Sequence, residues 1–309
     1  MSIRNLRELG LTAVAAAGFT LAGSASAFAG PAIGQFEIKS LRSTPGEFEF
    51  QSQNAYDRGI PRRRTETVGG ELEADHNSLA RQRNALELEY GITTFLKARI
   101  GVEYERERRE DPTSIHDAQG FEDLKLDEYE AELIWVLVPR RGDGFGLGVV
   151  VEYEHPAESG GTKKLNYGPL FEYQTGPWRL TLNPMLSQFM GGDRNEAGQR
   201  DEKIDFGYSA RILNRWSESF AIALEAYGSV ERVGGRGGRS DDARLFGDFD
   251  QHRIGPVLYW SWVPGGEGSH THPFGHDRDS EVTLGLGTLF GLNDDTPTAS
   301  LKLSMEVEF

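Results

Sequence analysis

From about Glu47 onward, polar and apolar residues alternate with a period of two, in stretches of roughly ten residues broken by runs rich in Gly, Asp, Pro and charge. That period belongs to strands whose two faces meet different surroundings, not to amphipathic helices. Twelve such strands are predicted, over 46–56, 80–91, 94–108, 122–138, 144–155, 163–175, 177–188, 202–213, 218–230, 249–262, 279–290 and 298–309. Beyond the first 30 residues no apolar run approaches the ~20 residues a membrane helix needs, and mean hydropathy is −0.50. A chain of this kind is either a soluble β-protein or a barrel that crosses a membrane with its strands.

The N-terminus bears on that choice. Arg4 and Arg7 precede an apolar stretch, Leu11 to Ala22, and small residues follow through Ala25-Ser26-Ala27 and Ala27-Phe28-Ala29. This is the pattern of a cleaved secretory signal. Residues 1–29 are therefore expected to be removed, 30–45 to form an N-terminal periplasmic segment, and 46–309 to form an all-β, antiparallel up-and-down transmembrane barrel of about 12 strands. No cysteine is present, so no disulfide or thiolate metal site contributes. A net charge of −15 argues against nucleic acid as a partner, because its phosphates would be repelled.

The spacing of the segments agrees with a barrel in the outer membrane of a Gram-negative bacterium, where long external loops alternate with short periplasmic turns. The long connections are 57–79, 109–121, 189–201 and 231–248; the short ones are Gly91-Ile92-Thr93, Pro139 to Asp143, Thr175-Gly176 and Asn214 to Ser217. Pro264 to Arg278 breaks this rule as a long periplasmic connection. Aromatic residues fall near the expected interfaces, with Tyr90, Trp135, Phe145, Trp178, Phe220, Trp260, Trp262 and Phe309 toward the periplasm and Tyr104, Tyr129, Tyr153, Tyr167, Phe206 and Phe290 toward the outside. In the last segment Leu301, Leu303, Met305, Val307 and Phe309 share one face. A terminal aromatic residue resembles the mark by which barrel-assembly machinery recognises its clients, which makes that machinery an expected partner through Phe309.

If the apolar set meets lipid, the other set lines a lumen. It contains Glu103, Glu105, Glu128, Glu130, Glu132, Glu152 and Glu154, with Arg83, Arg99, Arg211 and Arg253 as basic partners. Such a wall is too charged for a dry core. It either favours cations and neutral polar solutes over anions, as carboxylate rings do in pores, or is a solvated filling knitted by Glu–Arg pairs. No cofactor is implied.

Other constellations carry less. His270, His272 and His276 could bind Zn²⁺ or Cu²⁺, though scattered histidines are common in loops, and no metal is assigned. Arg62, Arg63 and Arg64 in the first external loop could meet lipopolysaccharide phosphates or simply be solvated. No Ser–His or Asp–His pair shares an outward face as a barrel hydrolase or protease would need; His252 has the parity of lipid-facing Ile254 and Leu258. An outer-membrane enzyme and a structural or adhesive barrel stay open as alternatives to a channel.

The strings YGITTFLKARIGVEYE, LGVVVEYEH, GPLFEYQTGPWRLTLNP and LGLGTLFGLNDDTPTASLKLSMEVEF resemble the outer-membrane transporters named after the meta-pathway of phenol degradation, over about Gly46 to Phe309. The resemblance implies a barrel for passage of small organic solutes, set among outer-membrane lipid and lipopolysaccharide. It carries no binding residue over to this chain.

Overall fold

The structure, a computed structural model, describes residues 36–61, 66–68, 71–73, 78–109, 120–191, 202–235, 250–264 and 280–309. The signal call on 1–29, the histidines 270, 272 and 276, and Arg62 to Arg64 lie outside the described residues.

Twelve strands close into one antiparallel barrel: β1 (Phe48–Arg58), β4 (Ser78–Thr93), β5 (Leu96–Arg109), β6 (Lys125–Val138), β7 (Gly144–Pro156), β8 (Thr162–Thr175), β9 (Trp178–Gly191), β10 (Lys203–Arg215), β11 (Phe220–Gly235), β12 (Gln251–Trp262), β13 (Glu281–Gly291) and β14 (Ala299–Glu308). Consecutive strands of the wall are neighbours throughout, and β1 pairs with β14 to complete the ring. All twelve expected strands are found, each displaced by a few residues at its ends. Two short strands within the first long connection, β2 (Glu66–Val68) and β3 (Glu71–Glu73), form a separate sheet that period-two alternation does not reveal in so short a stretch.

Closure removes the unpaired edge that would be prohibitively costly in hydrocarbon. At the junction, Phe48 N donates to Phe309 O and Phe309 N donates to Phe48 O, each at 2.9 Å. Both residues also stack, with ring centroids 5.9 Å apart, and Tyr90 joins Phe48 at 4.7 Å. Trp260 continues an aromatic band at the same end through Phe220 (6.3 Å) and Trp262 (4.6 Å). The turns joining β4–β5, β6–β7, β8–β9 and β10–β11 are at this end, together with both termini of the wall.

The two faces are inverted relative to a water-soluble protein. Leu86, Leu88, Ile100, Leu133, Leu180, Leu182, Leu224, Leu258, Leu301 and Leu303 are exposed on the outside. Glu87, Glu89, Arg99, Glu132, Glu152, Lys164, Glu225 and Lys302 are buried on the inside. The strict alternation of burial along β6, from Glu128 inward and Tyr129 outward to Val136 inward and Leu137 outward, shows how period two builds this inversion.

Candidate functional site

All eleven lumen residues expected from parity point into the barrel, but they separate into groups rather than forming a ring. In one group Lys164 lies 3.1 Å from Glu128 and 2.7 Å from Glu154, and Asn166 donates to Glu154 and, at 3.3 Å, to Glu152. Oxygens of Glu103, Asp127 and Glu128 lie within 4.8 Å of one another, an all-carboxylate set that suits a hard cation such as Ca²⁺. Beside it Arg83 donates to Glu105 at 2.6 Å, and Arg81 to Glu107 at 2.7 Å. Arg253, across the barrel, reaches Asp57 at 3.2 Å and Ser300 at 3.1 Å. Arg211 lies over the ring of Tyr259 at 5.6 Å.

That same far wall holds a cluster parity alone did not single out. Glu225, with no exposed surface, accepts from Lys302 at 2.7 Å, from Tyr227 Oη at 2.6 Å and from Tyr259 Oη. Four buried polar groups from β11, β12 and β14 thus satisfy one another, as a low-dielectric interior requires.

The main departure from expectation concerns the segment read as periplasmic. Its described part enters the barrel. Leu41 packs with Ile134, Val136, Val150 and Leu170 on the β6–β8 wall. Gly146 and Gly148 make room for it: a Cβ at Gly148 would stand 2.5 Å from Leu41 Cδ2 and 2.8 Å from the Trp135 carbonyl oxygen. At the other end Phe36 packs with Tyr227, Val257, Tyr259 and Leu289 on the β11–β13 wall, beneath the Arg253 guanidinium at 4.9 Å. Six consecutive residues therefore bridge two walls separated by several strands, and each bridgehead is an apolar cluster inside a lumen otherwise lined with charge.

Polar contacts hold the chain between these anchors. Tyr227 Oη lies 2.8 Å from the Phe36 carbonyl and shares its one proton between that oxygen and Glu225, while Asn183 Nδ2 donates to the Lys39 carbonyl at 3.2 Å and Leu41 N to Glu172 at 2.8 Å. Lys39 Nζ lies against Glu37 at 2.8 Å, Glu132, and Glu152 at 3.5 Å. Glu37 also pairs with Arg99, which reaches Glu87 at 3.1 Å and Glu89 at 2.9 Å. Phe36 adopts φ 64°, a left-handed conformation that costs a side-chain-bearing residue roughly 1–2 kcal/mol and persists because its carbonyl and ring are both held. Nearer the turn end, Arg42 pairs with Glu308 at 2.7 Å and Ser43 Oγ donates to the Thr93 carbonyl at 2.6 Å.

His252 keeps the outward parity expected of it but is buried, with its ring nitrogen 3.0 Å from Tyr208 Oη and its backbone N–H donating to Thr296 Oγ1 at 2.8 Å. It sits on the other side of the wall from the charged interior.

No protein-family model matches the chain, and no curated protein matches it in sequence. Among solved structures, it is similar to an outer membrane channel from Pseudomonas putida F1, with a TM-score of 0.51 and 13% identity over 89% of this chain and 97% of that one. A looser likeness, with a TM-score of 0.48 and 9% identity over 84% of this chain and 98% of the other, is to the NanC porin. At 13% identity, what the chain shares with that outer membrane channel is the barrel fold.

Proposed function

We propose that this chain is an outer-membrane channel of a Gram-negative envelope that passes small polar or organic solutes passively through an acidic lumen, with residues 36–42 closing that lumen at rest. The observation that carries the reading is the pairing of an apolar exterior with an interior wall bearing Glu87, Glu103, Glu130, Glu132, Glu152 and Glu154. The first property suits lipid, and the second has no use in a wall that merely has to be filled. An excess of carboxylates over basic partners favours cations and neutral solutes and disfavours the anionic aromatic acids that a phenol-degradation role would bring. The same reading makes outer-membrane lipid, lipopolysaccharide and the barrel-assembly machinery its partners, the last through Phe309.

Single-channel recording of the mature protein in planar bilayers tests this. In a salt gradient the reversal potential is expected on the cation-selective side. Glu130→Gln combined with Glu152→Gln should move it toward zero by roughly a third to a half, since two carboxylates are taken from a shared constriction. A folded, inserted protein that stays silent even without residues 36–42 would refute the channel. Deleting Phe309 is expected to lower the amount of assembled barrel in cell envelopes severalfold while leaving the current of each surviving channel unaltered; undiminished assembly would remove Phe309 as the recognition element.

A further inference from the structure

The seat of Lys39 is a recognition site in its own right. Its ammonium lies among three carboxylates, of which Glu37 belongs to the segment while Glu132 and Glu152 belong to the wall. Glu132 and Glu152 have side chains no more than 9% exposed. When the segment leaves, Arg99 keeps Glu87 and Glu89 and is still compensated. Glu152 has no other ion-pair partner among the described residues, and Glu132 keeps only the Nε of Arg99 at 3.7 Å. The neighbouring Glu130, 9% exposed, adds a further carboxylate to the same inward face of β6; it lies over Gly101 of β5, and its Oε1 has no hydrogen-bond partner among the described residues.

Buried carboxylates without counter-charge are strongly disfavoured. Withdrawing the segment therefore leaves an anionic seat that a replacement cation can take. The best match is small, carries several N–H donors converging on carboxylates of two adjacent strands, and trails an apolar stem, as Lys39 does. We infer that Glu132 and Glu152, with Glu130 beside them, form a binding site for primary alkylammonium solutes, and that Lys39 is its tethered occupant. This rests on the channel reading and specifies the solute class it favours: amines, in preference to carboxylic acids.

The test is chemical rescue of the full mature protein in detergent, read by its thermal unfolding midpoint at constant ionic strength. Lys39→Ala removes the apolar stem together with the ammonium, leaving room for both, and is expected to lower the midpoint. n-Butylammonium chloride should restore most of that loss, with half-effect at roughly a tenfold lower concentration than any response of the wild type, in which Lys39 competes. Tetramethylammonium, which has no N–H donor, should not restore it. Adding Glu132→Gln and Glu152→Gln to Lys39→Ala should raise the midpoint above that of Lys39→Ala alone and abolish the response to amine. Equal responses of wild type and Lys39→Ala, rescue by tetramethylammonium, or persistence of the response in the triple variant would each overturn the site. If Lys39→Ala does not fold, wild-type channels supply the measurement: n-butylammonium should increase their open time in a saturable manner where K⁺ does not, and an unchanged open time overturns the site. Current and rescue fail separately. Rescue without current at any amine concentration would discard the channel and leave the site, whereas current with no rescue would discard the site alone.

Discussion

Deleting residues 36–42 is expected to raise single-channel conductance by roughly an order of magnitude, because a peptide that crosses a twelve-stranded lumen obstructs most of its section. The segment bridges the barrel from Leu41 on the β6–β8 wall to Phe36 on the β11–β13 wall, with Lys39 between them among wall carboxylates. None of the wall's strand pairing passes through it, since the ring is completed by β1 and β14. The barrel should consequently still fold and still migrate as a compact species before boiling in a detergent gel. The deletion removes two positive charges, Lys39 and Arg42, and one negative charge, Glu37. Cation preference should therefore rise along with conductance. A conductance equal to that of the full chain would mean that the wall's own Glu, Lys and Arg side chains fill the lumen, and the segment would then be a brace rather than a closure.

The second large effect is on stability. Glu225→Ala should destabilise the barrel by about 3–5 kcal/mol, the range found when one partner of a buried ion pair is removed and the other charge stays behind. Here Lys302, 2% exposed, would lose its carboxylate, while Tyr227 and Tyr259 would lose the acceptor they share. Glu225→Gln should cost less, since its amide oxygen still accepts from a tyrosine. Combining Glu225→Leu with Lys302→Met should recover much of the loss, because no unpaired charge remains. Urea titration of the protein refolded in lipid vesicles measures all of these. A loss below about 1 kcal/mol for the alanine variant would show that water reaches Lys302 and that this cluster is wet.

The strands were legible because most wall residues follow one rule, apolar outward and polar or small inward; the inward exceptions, such as Ile134, Val150, Leu170 and Val257, gather where the segment packs. Parity also put Glu128, Glu130 and Glu132 on one face of β6, and the structure buries all three on the inward side. Partner choice was not legible. That Lys164 serves Glu128 and Glu154, while Arg83 serves Glu105, depends on strand stagger, which alternation does not encode. The segment was missed for a further reason. Phe36, Glu37, Ile38 and Lys39 alternate as a strand would, but pair with no strand, and their contacts are with side chains far along the chain. One signal was available in Gly146 and Gly148, two side-chain-free inward positions on neighbouring turns of the β7 pleat, which a wall lining only water has no need of. His252 illustrates the reverse: parity put it outside the lumen, but Tyr208 and Thr296, which bury it there, came from elements whose proximity only the fold reveals.

The junction between β1 and β14 also imposes an order of events on the maturing chain. Lys302 and Ser300, the partners of Glu225 and of Asp57 with Arg253, arrive on the last strand. The segment that fills the lumen is continuous with the first. Lys302 reaches Glu225 as β14 pairs with β13, but Asp57 on β1 meets Arg253 of β12 and Ser300 of β14 only when β1 and β14 zip together. Zipping therefore supplies that counter-charge at the moment it shuts the cylinder. A chain truncated before residue 299 would suffer twice, through an open hydrogen-bonding edge and through a stranded anion at its centre, so the inside of the barrel acts as a proofreader of its own completion.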